Sequence, residues 1–243
     1  MKALLFAAGL GTRLKEHTQS KPKALVNLAG KPLIQHAVEY LKRFGITDIT
    51  INVFHFADQV ISFLEANHWF EVEIHISDER DQLLDTGGGL KKAGVFLKGK
   101  EPILIYNVDV ISNLDLNSLL KYHLEQNALA TLAVRSRQTS RYLMIDQNQQ
   151  LVGWKNFVTG ETRICHDESF AHARALAFCG IHIIQPELLD MITEEGKFPI
   201  IDLYLRLAKS NRIKAFVDQS DLWIDLGKPE QLLAAEKLFK LKD

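Results

Sequence analysis

The chain has 243 residues, a hydrophobic fraction of 47% and a charged fraction of 24%, which is ordinary for one water-soluble α/β domain with or without a small appendage. A formal net charge of −1 argues against general affinity for nucleic acid or an anionic membrane surface, and no stretch approaches the roughly 18 apolar residues of a membrane span. The two cysteines, Cys165 and Cys179, make neither a C-x-x-C motif nor a disulfide framework, which predicts a reducing, cytoplasmic setting.

Residues 3–7 read as a short buried strand that runs into Gly9-Leu10-Gly11-Thr12-Arg13, with Lys23 ten residues after Arg13. The opening apolar run, about seven residues before Gly9, is too short for a signal-peptide core. Glycines let a backbone approach a ligand closely. Successive amides in such a loop form a concave anion site, and Arg and Lys add a fork and a point charge. The charge is local: residues 1–31 hold six Lys or Arg against one acid, +5, so the other 212 residues sum to −6. A basic cluster in a mildly acidic chain suits a small anionic ligand.

Two other phosphate-binding patterns fit less well. The P-loop needs Lys-Ser or Lys-Thr after its glycines, and that is absent. The dinucleotide fingerprint begins at Gly9 and Gly11, but Leu14 stands at its third glycine, and residues 27–32 hold no acid where one is expected about 20 positions on. A glycine-rich turn with no ligand is the plain structural alternative.

Strand-like and helix-like segments then alternate, the pattern of an open, mostly parallel sheet. Apolar spacing through Ile34, Ala37, Val38 and Leu41 predicts a helix over 33–44, stopped by Gly45. Strands are predicted over 49–53 and 72–76, with a helix over 59–66 between them. Asp85-Thr86-Gly87-Gly88-Gly89 reads as a turn before a helix that starts at Leu90. The nearly all-apolar run 102–106 suits a central parallel strand. It leads into Asn107-Val108-Asp109, at the carboxyl end where ligands sit in open α/β sheets.

A helix over 116–126 and a strand over 129–134 follow. Residues 142–154 read as an inserted hairpin, and 163–173 as an irregular loop whose Cys165, His166 and His172 fit no common zinc spacing. A buried strand is predicted over 177–184 and a short helix over 186–192, opened by Pro186. Next come a helix over 201–208, a strand over 213–217, and Trp223-Ile224-Asp225-Leu226-Gly227 before a final helix over 229–241. Asp109 and Asp225 lie 116 positions apart. Spacing alone does not join them, and each also suits a turn or helix-entry position.

The stretch 6–34 resembles the signature loop of the sugar-1-phosphate nucleotidyltransferases, the nucleoside-diphosphate-sugar pyrophosphorylases. The residues that carry the resemblance are Ala7-Ala8-Gly9-Leu10-Gly11-Thr12-Arg13-Leu14, Pro22-Lys23-Ala24 and Lys31-Pro32-Leu33-Ile34. Glu16-His17-Thr18 departs from the family's frequent Pro-Leu-Thr. Trp223 to Gly227 matches the family's W-x-D-x-G in full. Leu84-Asp85-Thr86-Gly87-Gly88-Gly89 and Asn107 are similar to segments of bacterial uridylyltransferases acting on muramic-acid-type sugar phosphates. Val108 replaces the usual Gly or Ser before the metal Asp.

The resemblance implies a Rossmann-like three-layer α/β/α fold, GT-A-like, with a small β-rich insertion on the sugar side. It implies one domain, 1–243, with a nucleotide-binding half over about 1–135 and a sugar-phosphate-binding half over about 136–243. The substrates would be an NTP and a sugar 1-phosphate, and the cofactor Mg²⁺. Ala8, Gly9, Gly11, Thr12, Arg13, Lys23, Gly87 and Asn107 would bind the nucleotide, with Arg13 and Lys23 carrying catalysis. Asp109 and Asp225 would hold the metal, and Ser140-Arg141 and Gly153-Trp154-Lys155 fall where the family places sugar-phosphate contacts. Uridylyl or guanylyl transfer in the synthesis of cell-wall or surface-polysaccharide precursors is expected, by a monomer or homodimer that needs neither nucleic acid nor membrane. The base stays open, because backbone readers of U, T and G look alike in sequence. A cytidylyltransferase for a small phospho-alcohol such as phosphocholine and a non-catalytic nucleotide-sugar-binding homologue are the alternatives.

Overall fold

A computed structural model describes residues 1–240, leaving aside the side chains of Lys15, Glu16 and Lys240. At its centre is strand β1 (Lys2–Phe6), buried from Ala3 onward. The chain then crosses the loop at 7–11, two 3₁₀ turns (Thr12–Thr18 and Lys23–Leu25) and a minimal hairpin of β2 (Asn27–Leu28) and β3 (Lys31–Pro32). Helix α1 (Leu33–Arg43) follows and buries Ile34, Ala37, Val38 and Leu41, the face its apolar spacing predicts. It ends on Gly45, whose φ of 71° lies in the left-handed region. The Gly45 N–H donates to the Lys42 carbonyl at 2.9 Å and the Ile46 N–H to that of Leu41 at 3.2 Å, the bond pair of a Schellman end.

Strands β4 (Asp48–Val53), β5 (Glu73–Asp78) and β6 (Ile103–Asn107) alternate with helices α2 (Ala57–Ala66) and α3 (Asp85–Leu97). β1 pairs in parallel with β4 on one side and β6 on the other, and β4 pairs with β5. Next are β7 (Val110–Ser112), α4 (Leu116–Glu125) and β8 (Ala130–Arg135). Asp115 caps α4 by accepting the Asn117 N–H at 3.1 Å.

The inserted arm is antiparallel: β9 (Arg141–Ile145), β10 (Leu151–Asn156) and β11 (Thr162–Ile164), then a one-turn helix α5 (Asp167–Phe170). Strand β12 (Arg174–Ile184) joins arm to core. Its first residues pair with β9, its last with β6, and β8 runs beside it. Helix α6 (Ile200–Ala208), β13 (Ile213–Val217), β14 (Trp223–Asp225) and α7 (Pro229–Lys240) complete the described chain. The main sheet therefore runs β11-β10-β9-β12-β6-β1-β4-β5, with β8 branching from β12 and β13 paired in parallel to β8.

Alternate residues of β1 face two apolar layers. Ala3 and Leu5 pack with residues of α1, α2, α4 and α7, and Leu4 and Phe6 with residues of α3 and α6. This is the three-layer α/β/α arrangement the family resemblance implies, on a mixed sheet whose parallel parts are β5-β4-β1-β6 and β8-β13.

Three predicted elements change. The stretch 163–173 is partly ordered as β11 and α5, because β10 offers β11 a free edge. The strand predicted from 177 starts at Arg174, whose neighbours find partners on β9. The helix predicted from Leu90 starts at Asp85, so the three glycines lie inside its first turn. A Cβ on Gly87 would stand 2.2 Å from the Phe198 ring, and one on Gly88 would stand 2.3 Å from the Gly196 carbonyl. The run is glycine because α3 is wedged against the segment that leads into α6. Leu241, the last residue of the predicted final helix, lies outside the described residues.

His182 on β12 is 1% exposed, has no partner on either ring nitrogen, and meets Tyr204 edge-on at 5.5 Å. Burial pushes its pKa down to about 3. In the unfolded chain it titrates near 6.5. Between those values the unfolded chain takes up the proton first, so stability falls as pH falls. Wild type should lose about 2 kcal/mol between pH 7 and pH 5 through this residue, a loss that His182→Phe should largely remove. Urea denaturation at the two pH values measures the difference, and equal losses in both proteins would contradict it.

Candidate active site

A cavity of about 360 Å³ opens at the carboxyl ends of β1, β4 and β6. The register explains its position: Phe6, the last residue of β1, lies opposite Asn52 on β4 and Asn107 on β6. The floor is a buried polar network. Asn52 Oδ1 accepts the N–H groups of Ala7 (2.7 Å) and Ala8 (3.2 Å), and its Nδ2 donates to Glu79 Oε1 at 2.7 Å. Glu79, fully buried, also accepts the Leu84 N–H at 3.1 Å. Burial pushes the Glu79 carboxyl up, while the Asn52 and Leu84 bonds pull it down. The start of the loop is thereby tied to β4, β5 and the entry of α3.

Gly11 sits at φ 65°, and its carbonyl accepts the Thr18 hydroxyl at 3.0 Å. A Cβ on Gly9 would meet nothing within 4 Å. Protein packing therefore does not demand glycine there, and the space above it belongs to the cavity.

Across the cavity, β7 and β14 form a two-stranded antiparallel ribbon with Asp225 opposite Val110. The Leu226 N–H donates to the Asp109 carbonyl at 2.8 Å. This ribbon joins aspartates that are 116 positions apart in sequence. Asp225 Oδ1 accepts the Gly227 N–H at 2.8 Å. The Lys23 ammonium contacts the Asp109 carboxylate directly. The Arg13 guanidinium lies against Gly227, where a Cβ would stand 2.7 Å from Nη2 and 2.8 Å from Asp225 Oδ1. Burial, and then the charge of Asp109, push the Asp225 carboxyl up; Lys23, Arg13 and the Gly227 N–H oppose them. Two acids and two cations thus meet at the loop mouth.

Ala8, Gly9, Gly11, Thr12, Arg13, Lys23, Asn107 and Asp109 all border the cavity, and Asp225 flanks it through Gly227. Gly87 does not border it: its N–H is taken by the Phe198 carbonyl at 2.9 Å. Asp85 and Thr86 form that wall, together with Leu83 and Lys197. Asn52, Glu79, Leu83 and Lys197 belong to no sequence motif. The one signal was Asn52 itself, a polar residue in an otherwise apolar strand end.

A second cavity, about 440 Å³, lies on the arm and holds Arg137, Arg141, Tyr142, Trp154, Arg163 and Asp202 in its wall. Of the predicted sugar-side residues, Arg141 and Trp154 reach it. Gly153 packs against Phe170 and the Lys155 ammonium lies 4.8 Å over Phe157. Cys165 Sγ bonds the Leu205 carbonyl at 3.1 Å and His166 Nε2 that of Ala208 at 2.7 Å, so both pin the arm to α6. Asp48, Glu73 and His75 have metal-like spacing but sit at the amino ends of β4 and β5, away from the cavity, with the Lys2 ammonium 3.3 Å from Asp48.

The sequence pattern of the nucleotidyl transferase family matches residues 2–240. The chain belongs to that family. The N-acetylmuramate alpha-1-phosphate uridylyltransferase of Caulobacter vibrioides is 33% identical over 96% of this nucleotidyl transferase and 95% of the relative. The probable mannose-1-phosphate guanylyltransferase 2 of Oryza sativa subsp. japonica is 28% identical over 98% of this chain, which spans 64% of that protein's length. Among solved structures, a putative glucose-1-phosphate thymidylyltransferase from Bacillus anthracis, in complex with a sucrose, superposes with a TM-score of 0.81 at 22% identity over 98% of this chain and 94% of its own. A UDP-glucose pyrophosphorylase complexed with UDP-glucose superposes with a TM-score of 0.78 at 19% identity, covering 100% of this chain and 99% of its own. At these identities the two structures establish the Rossmann-like fold of the nucleotidyl transferase. Among the described residues no helix is long and apolar enough to cross a membrane.

In this nucleotidyl transferase, Asn52→Ala should free the Ala7 and Ala8 amides and strip Glu79 of a donor. We expect the KM for nucleotide to rise about tenfold as the loop loses its anchor. A stability loss of about 1–3 kcal/mol should accompany it, the cost of unpaired buried groups. Steady-state kinetics with varied NTP and a urea melt test both, and an unchanged KM would contradict the anchoring role.

Proposed function

We propose that this nucleotidyl transferase moves a nucleotidyl group from an NTP to a sugar 1-phosphate and releases pyrophosphate. The observation that carries the reading is the convergence of Arg13, Lys23, Asp109 and Asp225 at the mouth of the glycine loop. The second cavity supports it by providing room for an acceptor beside Arg137, whose guanidinium stacks on Trp223 two residues before Asp225. The nucleotide would lie against the half over about 1–135 and the acceptor against the half over about 136–243.

An oxygen of the sugar phosphate attacks the α-phosphorus in line. A new P–O bond forms, the bond to the β-phosphate bridge breaks, and its electron pair leaves with pyrophosphate. No general base is required, because a phosphate monoester is already largely ionised near neutral pH. The work is positioning and neutralisation of charge. Arg13 and the loop amides of 9–12 bind the leaving β- and γ-phosphates, and Lys23 the α-phosphate.

Asp109 and Asp225 fit Mg²⁺: both offer carboxylate oxygens, and a shared cation would offset the burial and the Asp109 charge that push the Asp225 carboxyl up. Mg²⁺ held by these two carboxylates would supply positive charge that offsets the negative charge of the reacting phosphates. The free thiols of Cys165 and Cys179 suit the cytoplasm, where we place the enzyme as a monomer or homodimer.

UTP with a muramate-type sugar phosphate is the first pairing, because the Caulobacter vibrioides relative covers both chains nearly end to end. GTP with a mannose-type phosphate is the second. Pyrophosphate release with UTP, GTP, CTP and dTTP against N-acetylmuramate 1-phosphate, mannose 1-phosphate, glucose 1-phosphate and phosphocholine decides. Release with UTP or GTP and a sugar phosphate is expected. Release with phosphocholine alone, or none at all, would overturn the reading.

A further inference from the structure

We propose that Arg137 is the side chain that binds the phosphate of the acceptor, an assignment that rests on the sugar 1-phosphate transfer proposed above. Arg137 follows the end of β8, and its guanidinium lies 4.4 Å from the centre of the Trp223 ring. Trp223 is itself fixed, its Nε1 donating to the Cys179 carbonyl at 3.0 Å. It stands two residues before Asp225 on β14, so Arg137 is placed between the arm cavity and the paired aspartates. An acceptor phosphate has to lie there to reach an α-phosphorus in the first cavity.

The guanidinium is only partly satisfied by protein. Nη2 donates to the Phe178 carbonyl at 3.1 Å, while Nε is buried with no partner. An enclosed N–H without an acceptor is costly, and a guanidinium fork matches two oxygens of one phosphate. Burial pulls the Arg137 pKa down, which marks a place where an added anion is welcome.

The charges of the cavity agree. Its two acids, Asp202 and Glu161, are both spent on Arg163, at 2.5 and 3.0 Å. Arg137 and Arg141 have no acid at ion-pair distance among the described residues. Two cations without an ion-pair partner match the roughly −2 charge of a phosphate monoester. A residue that only packed Trp223 would need neither an open donor nor a charge without an ion-pair partner.

The test is a thermal-shift titration of the full chain with N-acetylmuramate 1-phosphate and with mannose 1-phosphate, on wild type, Arg137→Gln and Arg137→Lys. UTP with Mg²⁺ is titrated in parallel as a report on the other cavity. At least one sugar phosphate should stabilise wild type. Its half-saturating concentration should rise about tenfold or more in Arg137→Gln and less in Arg137→Lys, which keeps the charge but not the fork. The UTP titration should move by less than about threefold. A parallel loss for UTP, an unmoved sugar-phosphate titration, or no stabilisation of wild type by either sugar phosphate would overturn the assignment. Should Arg137→Gln lower the melting temperature of the free protein severely, Arg137→Lys decides by the same criteria. A chain that binds sugar phosphate through Arg137 but releases no pyrophosphate keeps this site and loses the transfer reading.

Discussion

Asp225→Asn should lower kcat by about 10²-fold or more while leaving the protein folded, the loss seen when one preorganised electrostatic group is removed from a phosphoryl or acyl transfer site. The substitution keeps the shape of the side chain and the acceptor oxygen for the Gly227 N–H, at 2.8 Å in the native chain. What it removes is one of the two carboxylates brought together by the β7–β14 ribbon. Burial and the charge of Asp109 both oppose ionisation of Asp225. Removing its charge should therefore cost no stability at neutral pH, and should add some. On the proposed assignment of Asp225 to Mg²⁺, the Mg²⁺ concentration giving half-maximal rate should rise, because that oxygen donor would have lost its charge. Pyrophosphate release across a Mg²⁺ series, with a urea melt of the same preparations, measures all three effects. Full turnover in Asp225→Asn would remove Asp225 from the metal-holding role.

Lys23→Ala is expected to be as damaging to turnover, about 10²-fold or more, and in addition to destabilise the fold. The lysine side chain is 8% exposed and contacts Asp109, itself 19% exposed. Removing one member of such a pair leaves a largely buried charge unpartnered, which costs on the order of 3 kcal/mol. The two effects separate in a cycle. Lys23→Ala combined with Asp109→Asn should regain part of the stability, since no uncompensated charge is left, yet stay inactive, since both the cation and the carboxylate are gone. Urea melts and single-turnover rates on the four proteins test this. A double variant no more stable than Lys23→Ala would mean that the ion pair does not couple the two residues.

Much of the site could be read from the chain because it is local. The loop from Ala7 to Arg13 and Lys23 lies within one short stretch, and its chemistry depends on backbone freedom and side-chain charge that adjacent residues specify. The stop of α1 at Gly45 was readable for the same reason. The glycine run at 87–89 was only half readable. Glycines signal a close approach, but not what approaches, and here it is Phe198 and Gly196.

Sequence by itself determined most of the alternation of strands and helices, the glycine-rich and basic character of the first loop, and the membership of the nucleotidyl transferase family. Tertiary structure showed how Asp109 and Asp225 meet, which the family resemblance only implied, and it alone decided that Asn52 and Glu79 anchor the loop and that Arg137 comes to face the arm cavity with an open donor. The physical reason is range. Propensity, capping and apolar periodicity act over a few residues, whereas these meetings are fixed by the register of β-strand pairing between segments up to 116 positions apart, which no local pattern encodes.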